Sequence, residues 1–389
     1  MNKAGSNILV GLYYHPELYP PTLSAINELA KIYEHVIVVH RAHLENNWIY
    51  PSNVIVISHG KVMSAKVQEQ LPTHKKIILF LSFSFSLFKA ICKYQPKTVL
   101  LYDAIALFAF HNMRFLFRKK MTWYHNHDVA EIEGVRKYSI AWFSIRAEKK
   151  AFKYLDLFTL PAEERLKYFP VNTMKGVYFI LPNYPLLSFY SKFYRQRSLG
   201  NTVKLIFQGT ISGSHGLDEI IELLPTTILN YELKLVLKGP GDAAYMDKLK
   251  QKIVALEVTD KVEVFGVTPY SEVPAVSSTC NIGIGIYAKK DLMNVTIGTA
   301  SNKLYEYAAV GLPVLYYDNE NQKKYLKGYS WAFATTATKA DISSQIELII
   351  KDYDKLSLAA HHDFVKELNY EKHFEPIRLH ILDKLYNIK

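Results

Sequence analysis

Glu306 is the one acidic residue in the stretch ASNKLYEYAAVGLPVL, Ala300 to Leu315. Ser301 or Asn302 is a good N-cap, Gly311 suits a C-terminal turn and Pro313 stops a helix, so a short helix is predicted between them with Leu304 packed inward. Ser301, Asn302 and Lys303 lie at its start, where free N–H groups attract phosphate. Glu306 follows one turn on, roughly 6 Å along the axis. That is about the separation between a diphosphate and a ribose, and a carboxylate can accept both hydrogen bonds of a cis-diol. The plainer alternative is a partly exposed carboxylate that favours a helix start.

Two neighbouring segments offer related chemistry. FQGTISGSHGLDEII, Phe207 to Ile221, reads as strand, glycine-bearing turn and helix. Gly209, Gly213 and Gly216 allow backbone amides to approach an anion, although any strand-to-helix turn favours glycine. LKGPGD, Leu237 to Asp242, sets Lys238 and Gly239 at the same sheet edge; a solvated lysine in a tight turn fits equally well. GVTPYSEVP, with Tyr270, reads as the wall of a base pocket or as a plain loop.

Other groups imitate functional sites. His125 and His127 of HNH are expected to diverge rather than share an ion, and no metal site is expected. Asp352 and Asp354 of DYD copy an Asp-x-Asp metal motif but fall in an amphipathic helix, so a solvated face is the better reading, as for His361 and His362. Glu131 and Glu133 are either an acid–base pair or caps and surface charges. RFLFRKK, Arg114 to Lys120, reads as an interfacial helix or as an ordinary one over the sheet.

These residues need a scaffold. Short, continuously apolar runs alternate with amphipathic segments: NILVGLYY, HVIVVHR, NVIVISH, IILFLSF, TVLLYD, MTWYHNH, LFTLPA and GVYFILPN in the first half. VKLIFQG, LKLVLKGPG, KVEVFG, CNIGIGIY, LPVLYY and WAFATT follow in the second. Such runs fit parallel strands covered on both faces, so the expected class is α/β with two Rossmann-like doubly wound domains. The boundaries are 1–185, an aperiodic linker at 186–201, 202–370, and a terminal amphipathic helix at 371–389. Ligands of such sheets bind at the carboxyl ends of the strands, so a cleft between the two domains is expected. IILFLSFSFSLF, Ile77 to Phe88, is read as a buried strand running into a helix, too short for the roughly 20 residues that span a bilayer.

The 389 residues carry a net charge of +11 and two cysteines, which fits a reducing compartment and excludes a disulfide scaffold. Residues 1–185 hold 23 Lys and Arg against 13 Asp and Glu, whereas the remainder holds 24 against 23. The basic first half therefore faces an anionic partner such as a membrane surface or phosphate-bearing acceptor, or is simply a solvated positive surface. Nucleic acid is not expected, because no basic–aromatic motif accompanies the charge. No secretory signal is visible, and a cytoplasmic location is expected, at the inner face of the membrane if the basic domain docks there.

The order and spacing of FQGTISGSHGLDEII, LVLKGPG, VFGVTPYSEVPAV, NIGIGIY, SNKLYEYAAVGLPVL, HNHDVAE and NYEKHFEPIRLHILDKLY resemble a GT-B fold glycosyltransferase of the retaining family 4 type, the glycosyl transferases group 1. The resemblance covers nearly the whole chain. It implies a UDP- or GDP-sugar held mainly by the second domain through Glu306, Asn302, Lys303, Leu304 and the loops at Thr210, His215 and Lys238. It implies no cofactor, and transfer to a glycan or lipid-linked acceptor. His127, followed by Asp128, would point at the transferred sugar, and the loop from His15, Pro16 and Glu17 would face the acceptor. The closing helix would cross back to the first domain. Three departures stand out: Thr210 and His215 replace an arginine and a lysine, Gly298 replaces a first glutamate, and TLSA replaces a glycine pair after Pro21. A nucleotide-sugar epimerase of the same plan, or a non-catalytic partner subunit, is the alternative.

Overall fold

The computed structural model describes residues 5–43, 47–64, 67–68, 70–130 and 132–387. The apolar runs of the first half form β1 (Ile8–Leu12), β2 (Val36–Arg41), β3 (Val54–His59), β4 (Thr98–Tyr102), β5 (Met121–His125), β6 (Leu157–Leu160) and β7 (Val177–Ile180). All pair in parallel in the order β3-β2-β1-β4-β5-β6-β7. Every residue of β1, β2, β4, β5 and β6 is buried, as continuously apolar strands covered on both faces must be.

The second sheet holds β8 (Thr202–Gln208), β10 (Tyr231–Lys238), β11 (Val262–Gly266), β12 (Ile282–Gly285), β13 (Val314–Tyr317) and β14 (Ala332–Thr335), in the order β11-β10-β8-β12-β13-β14. A two-residue strand, β9 (Thr227–Ile228), adds antiparallel to β10. Both sheets run outward in two directions from their first strand. The reversal falls between β1 and β4 in one and between β8 and β12 in the other, and crevices for ligands form at the carboxyl ends of such strand pairs.

Asn183–Lys372 forms one compact unit, and the rest of the described chain the other, including the segment from His373 onward. The terminal helix Tyr370–Asn387 thus ends in the first unit, where Phe374 meets Trp123 and His380 meets Phe179. The segment read as an aperiodic linker lies in the second unit. It forms a short helix, Leu187–Tyr190, whose first amides donate to Glu371.

One strand assignment is overturned. Ile77–Phe83 is not a strand but part of a 22-residue helix, Thr73–Tyr94, ended by Gln95 in the left-handed region. Its buried positions, Phe80, Phe83, Leu87, Ala90 and Ile91, have helical spacing. The outer positions Ile77, Ile78, Leu81 and Phe85 are also apolar, which masked the period. The helix is long and apolar enough to cross a membrane by length and composition, although one face packs on the sheet of its own domain. RFLFRKK likewise forms no full helix, only a single turn at Arg114–Leu116 with Phe115 and Leu116 exposed.

Candidate functional site

In the second unit the predicted residues gather at the carboxyl ends of β8, β10 and β12. The Asn302–Ala309 helix starts where expected: Ser301 Oγ accepts from the Leu304 amide at 3.5 Å and lies 2.8 Å from the Tyr287 hydroxyl. Two β12 glycines let this helix approach. A Cβ on Gly283 would stand 2.3 Å from the Tyr307 ring, and one on Gly285 would stand 2.1 Å from Leu304. NIGIGIY therefore encodes a close helix–strand contact that holds Lys303 and Glu306 at the sheet edge.

Glu306 is 5% exposed. It accepts from Gln208 Nε2 at 2.5 Å and the Tyr270 hydroxyl at 2.9 Å, with Tyr190 as a third partner. Gln208 is pinned in turn by Ser277 Oγ, which donates to its Oε1 at 2.7 Å. Burial raises the Glu306 carboxyl above its ordinary range, opposed by these hydrogen bonds and by Lys303. The surface-carboxylate reading is therefore excluded. Tyr270 serves as a Glu306 partner, and Gln208, Tyr190 and Ser277 complete a network that no local pattern announces.

Lys303 places its ammonium 4.0 Å above the Phe207 ring and 4.8 Å from the Tyr287 ring. No carboxylate among the described residues forms an ion pair with it. Burial pushes its pKa down to about 7, against the pull of Glu306. A Cβ on Gly209 would stand 3.2 Å from this nitrogen. Beside it, the Asn302 side-chain oxygen is buried without a hydrogen-bond partner.

The glycine loops have a different basis from the one expected. Gly209 (φ +117°) donates its amide to the Lys238 carbonyl at 2.9 Å, and Ile211 donates to the Pro240 carbonyl at 2.8 Å. A Cβ on Gly239 (φ +131°) would lie 2.2 Å from the Gly209 oxygen. These glycines join two loops to each other, so those two amides are unavailable to an anion. Gly216 (φ +68°) opens a helix of five residues, Leu217–Ile221, too short to act as an anion-binding terminus, and Gly213 packs beside Tyr245.

Neither replacement residue supplies a cation. His215 is buried, with Nδ1 2.7 Å from the Ile286 carbonyl; burial and then Lys303 hold its pKa down to about 4, so it is neutral at pH 7. Thr210 is exposed at the loop tip. Lys238 is buried and donates to Thr268 Oγ1, which turns its charge into the next loop. A Cβ on Gly298 would meet the Tyr325 ring at 2.5 Å, and its amide donates to Asn321 at 2.7 Å. A glutamate therefore has no room there.

In the first unit His127 follows β5, sets its ring against Tyr102 at the end of β4, and is 4% exposed. Asp103, at φ +60° as the first residue of the Asp103–His111 helix, grips it twice. Oδ1 accepts the backbone amide and Oδ2 accepts Nδ1–H, both at 2.9 Å. Nε2 is 2.9 Å from Thr22 Oγ1, and the ring is sandwiched between Tyr19 at 4.5 Å and Tyr102 at 4.7 Å. Asp103, Thr22 and the two tyrosines are the residues that sequence reasoning missed here. Asp128 instead turns outward and meets Arg165 at 3.5 Å.

The remaining candidates resolve simply. His125 and His127 do not diverge, since residues two apart in an extended chain share a side, and their rings lie 4.9 Å apart. His125 is held neutral by burial, with Nδ1 on Thr159 Oγ1, and no group of three or more metal-ligating side chains occurs among the described residues. His15 is buried, caps the turn from Pro16 to Leu18 and packs on His40. Glu17 accepts the amides of Asn47 and Trp48, so His15, Pro16 and Glu17 pin a loop internally. His361 does not sit on a solvated face; it stacks on Tyr194 at 3.6 Å. Asp352 and Asp354 are exposed, as is Glu133, while Glu131 lies outside the described residues.

Three comparisons complete the picture. The whole chain is similar to a set of solved structures at low sequence identity. Sucrose-phosphate synthase (tll1590) from Thermosynechococcus elongatus superposes with a TM-score of 0.69 at 13% identity, covering 99% of this chain and 100% of that one. Anabaena Alr3699/HepE in complex with UDP and glucose gives 0.67 at 14%, covering 97% and 100%. WaaG, a glycosyltransferase involved in lipopolysaccharide biosynthesis, gives 0.61 at 15%, covering 98% and 100%. These likenesses define the fold as GT-B, two Rossmann-like domains in tandem. Residues 192–367, all within the second unit, match the family model described as Glycosyl transferases group 1. No curated protein matches the sequence.

Proposed function

We propose that the protein transfers a sugar from a nucleoside-diphosphate sugar, UDP- or GDP-linked, to a glycan or lipid-linked acceptor in envelope polysaccharide synthesis, with retained configuration and without a metal. The observation that carries this reading is the Lys303 ammonium: half-buried, without a carboxylate partner among the described residues, and one helical turn from the Glu306 carboxylate in the domain that matches the family. A diphosphate supplies the missing counter-charge, and a ribose supplies hydroxyls to Glu306. The neighbour crystallised with UDP and glucose favours UDP as the first nucleotide to test. The bond from the anomeric carbon to the diphosphate oxygen breaks while the acceptor oxygen bonds to that carbon. The acceptor proton passes to the leaving phosphate, because no side chain is evident as a covalent nucleophile. His127, held by Asp103, is the first-domain candidate for the reaction. The basic first domain suits a cytoplasmic enzyme at the inner membrane face.

A specific observation keeps a second reading in play. Both His127 ring nitrogens and both Glu306 oxygens already have protein partners, as in a non-catalytic binding subunit. A thermal-shift panel of UDP, GDP and their sugars with EDTA present separates the readings. Stabilisation by a nucleoside diphosphate and release of free sugar from a donor are expected. Binding without hydrolysis or transfer would favour the subunit, and no stabilisation by any diphosphonucleoside would sink both.

A further inference from the structure

The first domain contains a cavity of about 620 Å³ beside the reversal of its sheet, a size suited to an organic ligand of moderate bulk. Its chemistry is divided. Arg41, Lys76, Arg136 and Lys137 line it, and no aspartate or glutamate does so among the described residues. Ile77, Ile105, Phe108 and Phe143 give it apolar walls.

Arg41, the last residue of β2, is the anomaly. It is 1% exposed, yet forms no ion pair with a carboxylate among the described residues. Nη1 donates to the Tyr13 hydroxyl at 3.0 Å, the guanidinium lies 5.3 Å from that ring, and Nε is buried with no hydrogen-bond partner. Its histidine neighbours His40 and His43 supply no negative charge, since an imidazole is neutral or cationic, and burial lowers both below their ordinary range. A buried guanidinium without a carboxylate partner among the described residues, in the wall of a cavity, calls for an anion.

The apolar walls say what the anion carries. The Thr73–Tyr94 helix contributes Lys76 and Ile77 to the cavity and continues outside it as an exposed stripe of Ile78, Leu81 and Phe85. A chain leaving the cavity therefore stays on apolar surface, which a soluble sugar phosphate does not need. Tyr14, at the inner wall, lies 6.1 Å from Tyr19, which stacks on His127. The cavity thus ends two rings from the candidate reactive histidine.

We infer that this cavity binds a lipid phosphate, its phosphate ester on Arg41 and its hydrocarbon chain along Ile77, Phe108 and Phe143, and that the ligand is the lipid-linked acceptor. Only the word acceptor rests on the glycosyl-transfer reading; the binding is tested without any donor.

Titrating the full chain in detergent with a short-chain isoprenyl phosphate, its parent alcohol, inorganic phosphate and phosphatidic acid separates the possibilities. The isoprenyl phosphate is expected to bind at least about tenfold tighter than the alcohol, the worth of one charge-assisted hydrogen bond. Arg41→Gln should lower that ratio several-fold while leaving alcohol binding in place. Ile77→Asn, at an exposed position that the fold tolerates, should weaken both lipids about tenfold. If Arg41→Gln fails to fold, Lys76→Gln with Arg136→Gln should lower the phosphate preference instead. Equal affinity for alcohol and phosphate, or inorganic phosphate binding as tightly as the ester, would overturn the inference. Failure of both the isoprenyl ester and phosphatidic acid to bind more tightly than inorganic phosphate would overturn the acceptor assignment. Isoprenyl phosphate binding with no release of free sugar from any nucleotide-sugar donor would instead count against the glycosyl-transfer reading alone.

Discussion

Glu306→Gln is the most informative single change in the second domain. Glu306→Ala would strand Gln208 Nε2 and the Tyr270 and Tyr190 hydroxyls in a buried space, at about 1–3 kcal/mol each, so unfolding would mask any effect on binding. A glutamine can fit. With Gln208 Oε1 accepting from Ser277, the new amide aims its oxygen at Gln208 and its nitrogen at the tyrosine hydroxyls, which can accept. The loss of charge assistance is partly offset by relief of the buried charge that raises the Glu306 pKa. The net stability change should stay within about 1 kcal/mol, or roughly 2–4 °C for a domain of this size. A ribose loses a charge-assisted acceptor, worth about 1.5–3 kcal/mol, so donor affinity should fall about tenfold or more. Calorimetric titration with UDP-glucose or the matching donor, beside a thermal melt, reads both quantities. Unchanged donor affinity in the folded variant would show that Glu306 only organises Gln208, Tyr270 and Tyr190, and the ribose assignment would be wrong.

Lys303, with its pKa near 7, is half-neutral at neutral pH in the free protein, so nucleotide-sugar affinity should fall about tenfold or more between pH 6.5 and 8.5. Lys303→Arg should flatten that profile, and a flat wild-type profile would remove the ammonium from the phosphate site. Burial pushes Glu148 up to about 7, so the folded state holds its proton longer than the unfolded one and stability drops as pH rises from about 4.5 to 7. Glu148→Gln should therefore raise stability by about 1–3 kcal/mol at pH 8 and little at pH 4.5, and parallel melting curves would contradict this. Gly239→Ala should cost more than about 2 kcal/mol, since a Cβ would strike the Gly209 oxygen at 2.2 Å, and a thermal melt within a degree of wild type would show that the two loops are not joined as described.

The parts of this molecule that were legible in its sequence are those decided locally. Parallel strands such as β1 and β8 declare themselves because burial on both faces requires unbroken apolar runs. The Ser301 cap and the Gly311 stop mark their helix for similar reasons. The Thr73–Tyr94 helix was illegible because its outer face is as apolar as its inner one, so no period survives. Partners distant in sequence were equally hidden: Asp103 and Thr22 for His127, Gln208 and Ser277 for Glu306, Gly209 against Gly239. Those hidden partners change the chemistry as well as the geometry. His215 stands where a cation was expected but is neutral, Lys238 is turned into a loop, and the Gly209 and Ile211 amides are spent on the Lys238 and Pro240 carbonyls. On the proposed reading, phosphate recognition in this domain therefore falls to Lys303 and the start of its helix. That single cation is already close to losing its proton, so the lost arginine and lysine should show themselves as a weak, acid-favoured donor site rather than an absent one.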